Sequence, residues 1–355
     1  MKIIHRSIGK ELVLAFILSL ASLNFILMME KVLRLSRFLS GVGTSVMDML
    51  AIILYLQPQL FLLTIPMSLL LSTLFVYGRL NMDNELVIMR ISGMRFWSLC
   101  IPVFLLGLAC FALNVAVSFY LGPLSSMQLR NKITNIIKVR TPLAIEEGRF
   151  NTAFKDVLIY VKEKPSDNTV REIFIYDSRN QNEPVVVMAE EATINVQEDF
   201  TINFLLSNGY MNAVRGDTTT EMFFKRYNMM LSLKSDAPGR KQAELTPLGL
   251  LERIRQTDSH YASFIYLEFH RRFSLPLLCI ILVFFGPPLA MMAGKSGRLG
   301  GLALGLGVFT SYYMLLVYGE NLVRAGKLHH YLGSWLSTVV LGVIAFLIFR
   351  RASQR

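Results

Sequence analysis

The chain has 355 residues, a formal net charge of +11, 53% hydrophobic residues and only 17% charged ones. Ordinary soluble domains carry about 25% charged residues, so this composition excludes a wholly water-soluble globule and indicates a membrane protein. In such a chain surplus Lys and Arg sit at helix ends against lipid phosphate, so the positive charge does not call for a nucleic-acid partner.

A helix needs about 20 apolar residues to cross the ~30 Å hydrocarbon core. The first such run is Leu12–Met29, preceded by a basic segment. No A-x-A cleavage site follows, so it reads as a retained span rather than a signal peptide. The second, Ala51–Tyr77, carries Pro58 and Pro66, which predict a kink or tilt. Gln57 and Gln59 near its start should face protein or water rather than lipid. The third is Trp97–Leu121, which Gly122-Pro123-Leu-Ser-Ser126 is expected to close.

The character then changes. Residues 140–245 hold no span-length apolar run and alternate like a soluble β domain. Val157–Val161, Arg171–Asp177, Val185–Met188, Thr193–Val196, Thr201–Leu206 and Met222–Met230 read as strands. Pro165–Asn168, Asp177–Pro184, Asn208-Gly209 and Arg215–Asp217 supply turn chemistry between them. Many short strands at this spacing suggest a sandwich or jelly roll, either a passive solvated domain or a docking or conduit domain. The segment contains no cysteine; Cys100, Cys110 and Cys279 all lie in apolar runs, so an internal disulfide in the β domain is excluded.

Thr246-Pro247 has the chemistry of an N-cap followed by proline at the first helical position. Leu248, Leu251 and Ile254 follow at helical spacing, predicting a short amphipathic connecting helix. Three more apolar runs complete the chain: Phe273–Met292, Leu299–Tyr318 and Tyr331–Phe349. The expected fold class is therefore a membrane α-helical protein of six spans, three plus three, with an inserted all-β, jelly-roll-like domain. The expected division is 1–139 for spans one to three, 140–245 for the β domain, and 246–355 for the connecting helix and spans four to six. With the N-terminus inside, eleven Lys and Arg flank the inner ends of the spans against five in the short outer loops. That bias predicts cytoplasmic termini and a β domain on the outer side.

The loop between the second and third spans reads Gly78-Arg-Leu-Asn-Met-Asp-Asn-Glu-Leu-Val-Ile-Met-Arg-Ile-Ser-Gly93. It resembles the loop motif of the lipopolysaccharide-export permeases, the LptF/LptG family: G-K/R-L-x4-E-L/I-x-x-M-R/H/Q-x-x-G. Gly122-Pro123-Leu-Ser-Ser126, Phe285-Gly-Pro-Pro-Leu289 and Gly297-Arg298 also match the family, as does the three-plus-three layout. Gly78–Leu80 and the loop before the fifth span look more like the LptF branch. The resemblance implies a non-catalytic permease subunit of an ABC exporter in the bacterial inner membrane, with its β domain in the periplasm. It implies lipopolysaccharide as substrate and a separate LptB-like ATPase dimer beneath. A second permease of the family and periplasmic LptC- and LptA-like jelly-roll proteins are the other implied partners. No cofactor, metal or catalytic residue is expected; the sequence has no Walker-type loop and no HExxH.

Within that frame Asp83 is a candidate helix cap, and Glu85, Leu86, Met89 and Arg90 are the candidate ATPase-coupling residues of a short helix near 82–93 ended by Gly93. The plainer alternative is a solvated loop whose charges set topology. Lys31, Arg34 and Arg37 recur every third residue beyond the first span, and Arg324 and Lys327 follow the fifth. Outer positive charge runs against the usual bias and suits the phosphates of a glycolipid. Arg130, Lys132, Lys138, Arg140, Arg271 and Arg272 add to it, and anchoring to ordinary head groups is the alternative. Gly301 and Gly305 form a GxxxG in the fifth span. Such a pair suits either a gate shared with a partner permease or contact with another helix of the same chain. His270, beside charged neighbours, reads as structural. A secondary transporter would want ionisable residues at mid-membrane, and the six apolar cores contain no Asp, Glu, Lys or Arg. An intramembrane enzyme would need a nucleophile, base or metal cluster that no motif supplies. A membrane-anchored scaffold with an external interaction domain is the remaining alternative.

Overall fold

A computed structural model describes residues 2–39, 45–144, 147–154, 156–166, 168–179, 184–196, 201–215, 218–232, 241–256, 259–292 and 297–354. The first half contains α1 (Lys2–Leu39), α2 (Val46–Met82), the short α3 (Glu85–Ile91), α4 (Phe96–Ala116) and α5 (Gly122–Ala144). Strands β1 (Phe150–Phe154), β2 (Val157–Ser166), β3 (Thr169–Asp177), β4 (Val185–Val196), β5 (Thr201–Arg215) and β6 (Thr218–Ser232) follow. A 3₁₀ turn (Lys241–Glu244), α6 (Pro247–Arg255), α7 (Ser259–Met292), α8 (Gly297–Arg324) and α9 (His330–Gln354) complete it. Among the described residues six helical stretches are long and apolar enough to cross a membrane, three on each side of the sheet in sequence. The protein is a multi-pass helical membrane protein with an inserted β domain. It divides into two compact units, one of residues 1–29, 56–126 and 240–355, the other of residues 30–55 and 127–239.

In the helical unit α2 is the innermost element. In its most apolar window 72% of the residues are buried, against 17% for α1 and 22% for α8. A helix apolar all round belongs in the interior, and the others keep one side for lipid or a partner. Its buried Thr64, Ser68, Ser72 and Thr73 each donate to a carbonyl three or four residues back in the same helix, which satisfies them away from water. Pro58 and Pro66 lie within the continuous helix. Gln57 accepts from Asn24 at 2.8 Å and Gln59 donates to Ser126 at 2.8 Å, so both glutamines face protein as expected. Tyr77 ties α2 to α4 by donating to the Leu99 carbonyl at 2.5 Å.

The third span does not end at Gly122-Pro123. A single π-turn, Val117–Leu121, joins α4 directly to α5. Pro123 lacks the N–H that would continue the i−4 ladder, and the helix answers with a wider turn rather than a break. Ser125 and Ser126 both donate to the Gly122 carbonyl, at 2.9 and 2.7 Å, which keeps the backbone satisfied through the join.

The six strands form one antiparallel sheet in the order β1-β2-β3-β4-β5-β6. Among the described residues this is a meander, not the exchange of strands between two sheets that a sandwich or jelly roll implies. Val185–Met188 and Thr193–Val196 are two ends of one strand, β4. Asn208-Gly209 is not a turn: β5 runs straight through it, with Asn208 at φ 51°. The connecting helix forms as read, with the Thr246 hydroxyl accepting from the Gly249 N–H at 3.3 Å. Its buried face is Leu250 and Ile254, while Leu248 and Leu251 are exposed.

Candidate functional site

The loop motif folds around Arg79. Its guanidinium reaches Glu11 of α1 at 2.7 Å, and Asp83 and Glu85 at 3.6 Å each. Asp83 is therefore an ion-pair partner rather than a cap; the residue before α3 is Asn84, at φ 58° and without a side-chain cap bond. Gly93 closes the helix at φ 85°, a left-handed position that glycine adopts without strain. Leu86 is buried and Met89 packs against the same helical core, so these two anchor α3 to its own chain. The outward face is different: Val87, Ile88 and Ile91 are exposed, and Glu85 stays half exposed at the Arg79 end. Ile4, Ile8, Glu11, Arg79, Glu85 and Ile88 line a cavity of about 290 Å³ there. The helix thus carries an exposed apolar ridge beside a half-exposed carboxylate paired with Arg79. Glu11 escaped the sequence reading because a lone acid before an apolar run has no spacing signature.

The basic residues read as phosphate ligands have separate fates. Lys31 and Lys327 are exposed. Arg34 and Arg37 lie on α1, but their side chains fall outside the described residues, as do those of Lys138 and Arg140. Arg324 is 3.7 Å from Glu320, which also lies 3.7 Å from Arg271. Lys132 pairs with Asp48 at 2.9 Å. Arg272 is no surface cation: buried, it donates to the carbonyls of Gln242 (3.1 Å), Ala243 (3.2 Å) and Leu245, lacing the 3₁₀ turn to α7. Glu320, 9% exposed, faces a cavity of about 280 Å³ with Glu268, Arg271 and Arg324. It lies two residues past the apolar run Leu299–Tyr318, outside the six apolar cores.

Gly301 and Gly305 face α2 of the same chain. A Cβ on Gly305 would lie 2.7 Å from Leu74 Cδ1 and one on Gly301 3.6 Å from Leu74 Cβ. The GxxxG therefore seats α8 on α2, the intramolecular alternative, and not a partner-facing gate. The exposed side of α8 carries Leu304, Met314 and Tyr318 instead. His270 accepts from the Trp335 indole at 3.3 Å and lies among Tyr266, His330 and Tyr331, a packed aromatic setting.

Comparison with known proteins agrees with this architecture. An uncharacterized protein of Rickettsia prowazekii (strain Madrid E) is 27% identical over 175 residues. The alignment spans about half of either protein, 49% of this chain and 48% of the relative. The family model for the lipopolysaccharide export system permease LptF/LptG, which does not separate the two branches, matches residues 6–351. With that match running through all six spans and the inserted sheet, the chain belongs to the LptF/LptG family of lipopolysaccharide export permeases.

Proposed function

We propose that this chain is one transmembrane half of an exporter that lifts lipopolysaccharide from the outer leaflet of the inner membrane and hands it to a periplasmic bridge. In this reading ATP is hydrolysed by a separate, LptB-like ATPase dimer, and the chain itself carries no catalytic residue. A second LptF/LptG permease completes the membrane portion, LptC- and LptA-like proteins receive the lipid, and the loop sequences favour the LptF branch. The termini and α3 are cytoplasmic, and the β domain is periplasmic.

The observation that carries the reading is α3. It is anchored by Leu86 and Met89 and held by Arg79, and it presents Val87, Ile88 and Ile91 outward beside Glu85 and Arg90. A helix fixed on one side and apolar on the other suits transmission of a partner's motion to the spans. Lys31, Arg34, Arg37, Arg324 and Lys327 are the proposed contacts for lipid phosphates. Each exposed charge contributes about 1 kcal/mol near an anionic surface, so binding would come from the set rather than from one member. The test is co-purification. An ATPase subunit should accompany the unaltered chain, and Glu85→Arg should reduce its recovery at least tenfold, about 1.4 kcal/mol, with membrane insertion unchanged. Equal recovery from both would return α3 to a solvated loop and leave the scaffold reading standing.

A further inference from the structure

Where the apolar runs of α7 and α8 end, four charged side chains close around one cavity. Glu268 and Arg271 of α7 and Glu320 and Arg324 of α8 line about 280 Å³, with Phe264 and Leu267 as an apolar wall. Glu320 is the most enclosed of the four, its side chain 9% exposed. Its Oε1 is buried and accepts no hydrogen bond among the described residues. Arg271 Nε stands 3.7 Å from that oxygen and Arg324 Nη2 stands 3.7 Å from Oε2, both beyond hydrogen-bond length. The carboxylate is thus left short of a donor, and the two guanidiniums keep donors that it does not take.

The wall of the cavity is laced in place. Buried Arg272 donates to the carbonyl of Gln242, which also lines the cavity, and lies 3.9 Å from Glu268. The sequence sets its depth: Arg271 comes two residues before the apolar run Phe273–Met292, and Glu320 two residues past Leu299–Tyr318. At a rise of ~1.5 Å per residue both stand about 3 Å beyond the apolar run, with Glu268 and Arg324 one turn further out. A bilayer of about 40–45 Å with a ~30 Å hydrocarbon core leaves a head-group layer of about 5–7 Å on each side. The cavity therefore lies at the level of lipid head groups, and it has many times the ~15 Å³ that one water needs.

We propose that this cavity binds the phosphoethanolamine head group of a bilayer phospholipid. The four groups facing it carry two charges of each sign, so a lone anion or a lone cation meets like charge as well as opposite. A phosphoethanolamine group carries both signs. Its phosphate takes charge-assisted bonds from Arg271 and Arg324, for which the guanidinium fork is suited. Its ammonium offers three N–H donors, and these reach the unpaired Glu320 Oε1 and Glu268. Phe264 and Leu267 suit the glycerol and the first methylenes below it. A choline head group has no N–H to give the carboxylates, and a glycerol head group leaves both of them without a cation. The bound lipid bridges the ends of α7 and α8. The site shares Arg324 with the phosphate contacts proposed above and does not rest on the export reading.

The test titrates the full-length chain in detergent with short-chain phosphatidylethanolamine, phosphatidylglycerol and phosphatidylcholine, read by native mass spectrometry. Phosphatidylethanolamine should bind about tenfold or more tighter than the other two. Glu320→Gln should abolish that preference by weakening phosphatidylethanolamine about tenfold, with phosphatidylglycerol held as well as before or better, because a repelling charge is gone. Glu268→Gln, at a less buried side chain, should shift both lipids in the same directions and serves where the Glu320 variant fails to fold. Arg324→Gln should weaken phosphatidylethanolamine and phosphatidylglycerol together. Equal binding of the three lipids by the unaltered chain would overturn the site. So would a preference that survives both glutamate variants, or an equal loss of all three lipids in them, which would make Glu320 only a tie between α7 and α8. Free phosphoethanolamine binding as tightly as the lipid would also overturn it, in favour of a soluble ligand. Failure of the ATPase co-purification would remove the export reading and leave the lipid titration as it stands.

Discussion

Arg272 shows how a residue type can be legible and its role not. As one of two arginines before an apolar run it reads as an interfacial cation, yet its guanidinium is spent on three carbonyls of the connector. Only arginine offers that planar fork, so Arg272→Lys should cost about 2 kcal/mol, read as a lower inactivation temperature in detergent, with Lys327→Ala neutral in the same assay. In the β domain, burial raises the Asp177 carboxyl pKa, but the bonds from Arg179 outweigh it and hold the group below its ordinary value. A depressed carboxylate stabilises the fold above its unfolded value near 3.8, and that contribution is lost as pH falls through the folded value. The domain should therefore lose stability on acidification below about pH 4, and Asp177→Asn should remove a fraction of a kcal/mol of that dependence. Acid melts followed by tyrosine signals of the β domain, compared between the two proteins, check this. The Arg179 N–H also donates to Asp177 Oδ1 at 3.1 Å, the aspartate-to-backbone bond typical of a turn, while the guanidinium contact is set by the strand end and the turn after it.

At the scale of elements, apolar length identified the spans, because the bilayer sets one requirement that every crossing helix must meet. It could not say what each helix face touches. Gly301 and Gly305 illustrate the gap: small residues permit close approach but do not name the neighbour, and here the neighbour is α2. Gly305→Leu should force α8 off Leu74 and cost about 1–3 kcal/mol, whereas Gly301→Ala, with ordinary van der Waals room, should fall within about 0.5 kcal/mol. Thermal inactivation of the two variants gives the comparison, and equal losses would mean that α8 seats elsewhere. On α3 the inward and outward faces follow from helix phase. Leu86 turns inward and Ile88 and Ile91 turn outward, since helix phase depends on where the first turn begins. Ile88→Ser/Ile91→Ser should leave insertion intact and lower ATPase recovery as strongly as Glu85→Arg, measured on the same affinity resin.

For the whole molecule the orientation is the first quantity to measure. Cys100, Cys110 and Cys279 are buried, so they give little background to a maleimide that cannot cross the membrane. In spheroplasts a cysteine replacing exposed Glu163 should react and one replacing Ile91 should not; the reverse pattern would invert the proposed topology. The sequence by itself determined the membrane class, the six spans, the inserted β domain and the family. Each of these rests on a signal repeated over many residues, whether apolar runs of span length, period-two alternation or a motif eight residues deep. Only the tertiary structure decided which side chains meet. It placed Arg79 against Glu11, set Glu320 between two arginines, carried a helix through Gly122-Pro123, and paired six strands as one meander. Those outcomes depend on helix rotation and strand register, which single pairs of distant residues settle and which no local pattern along the chain encodes.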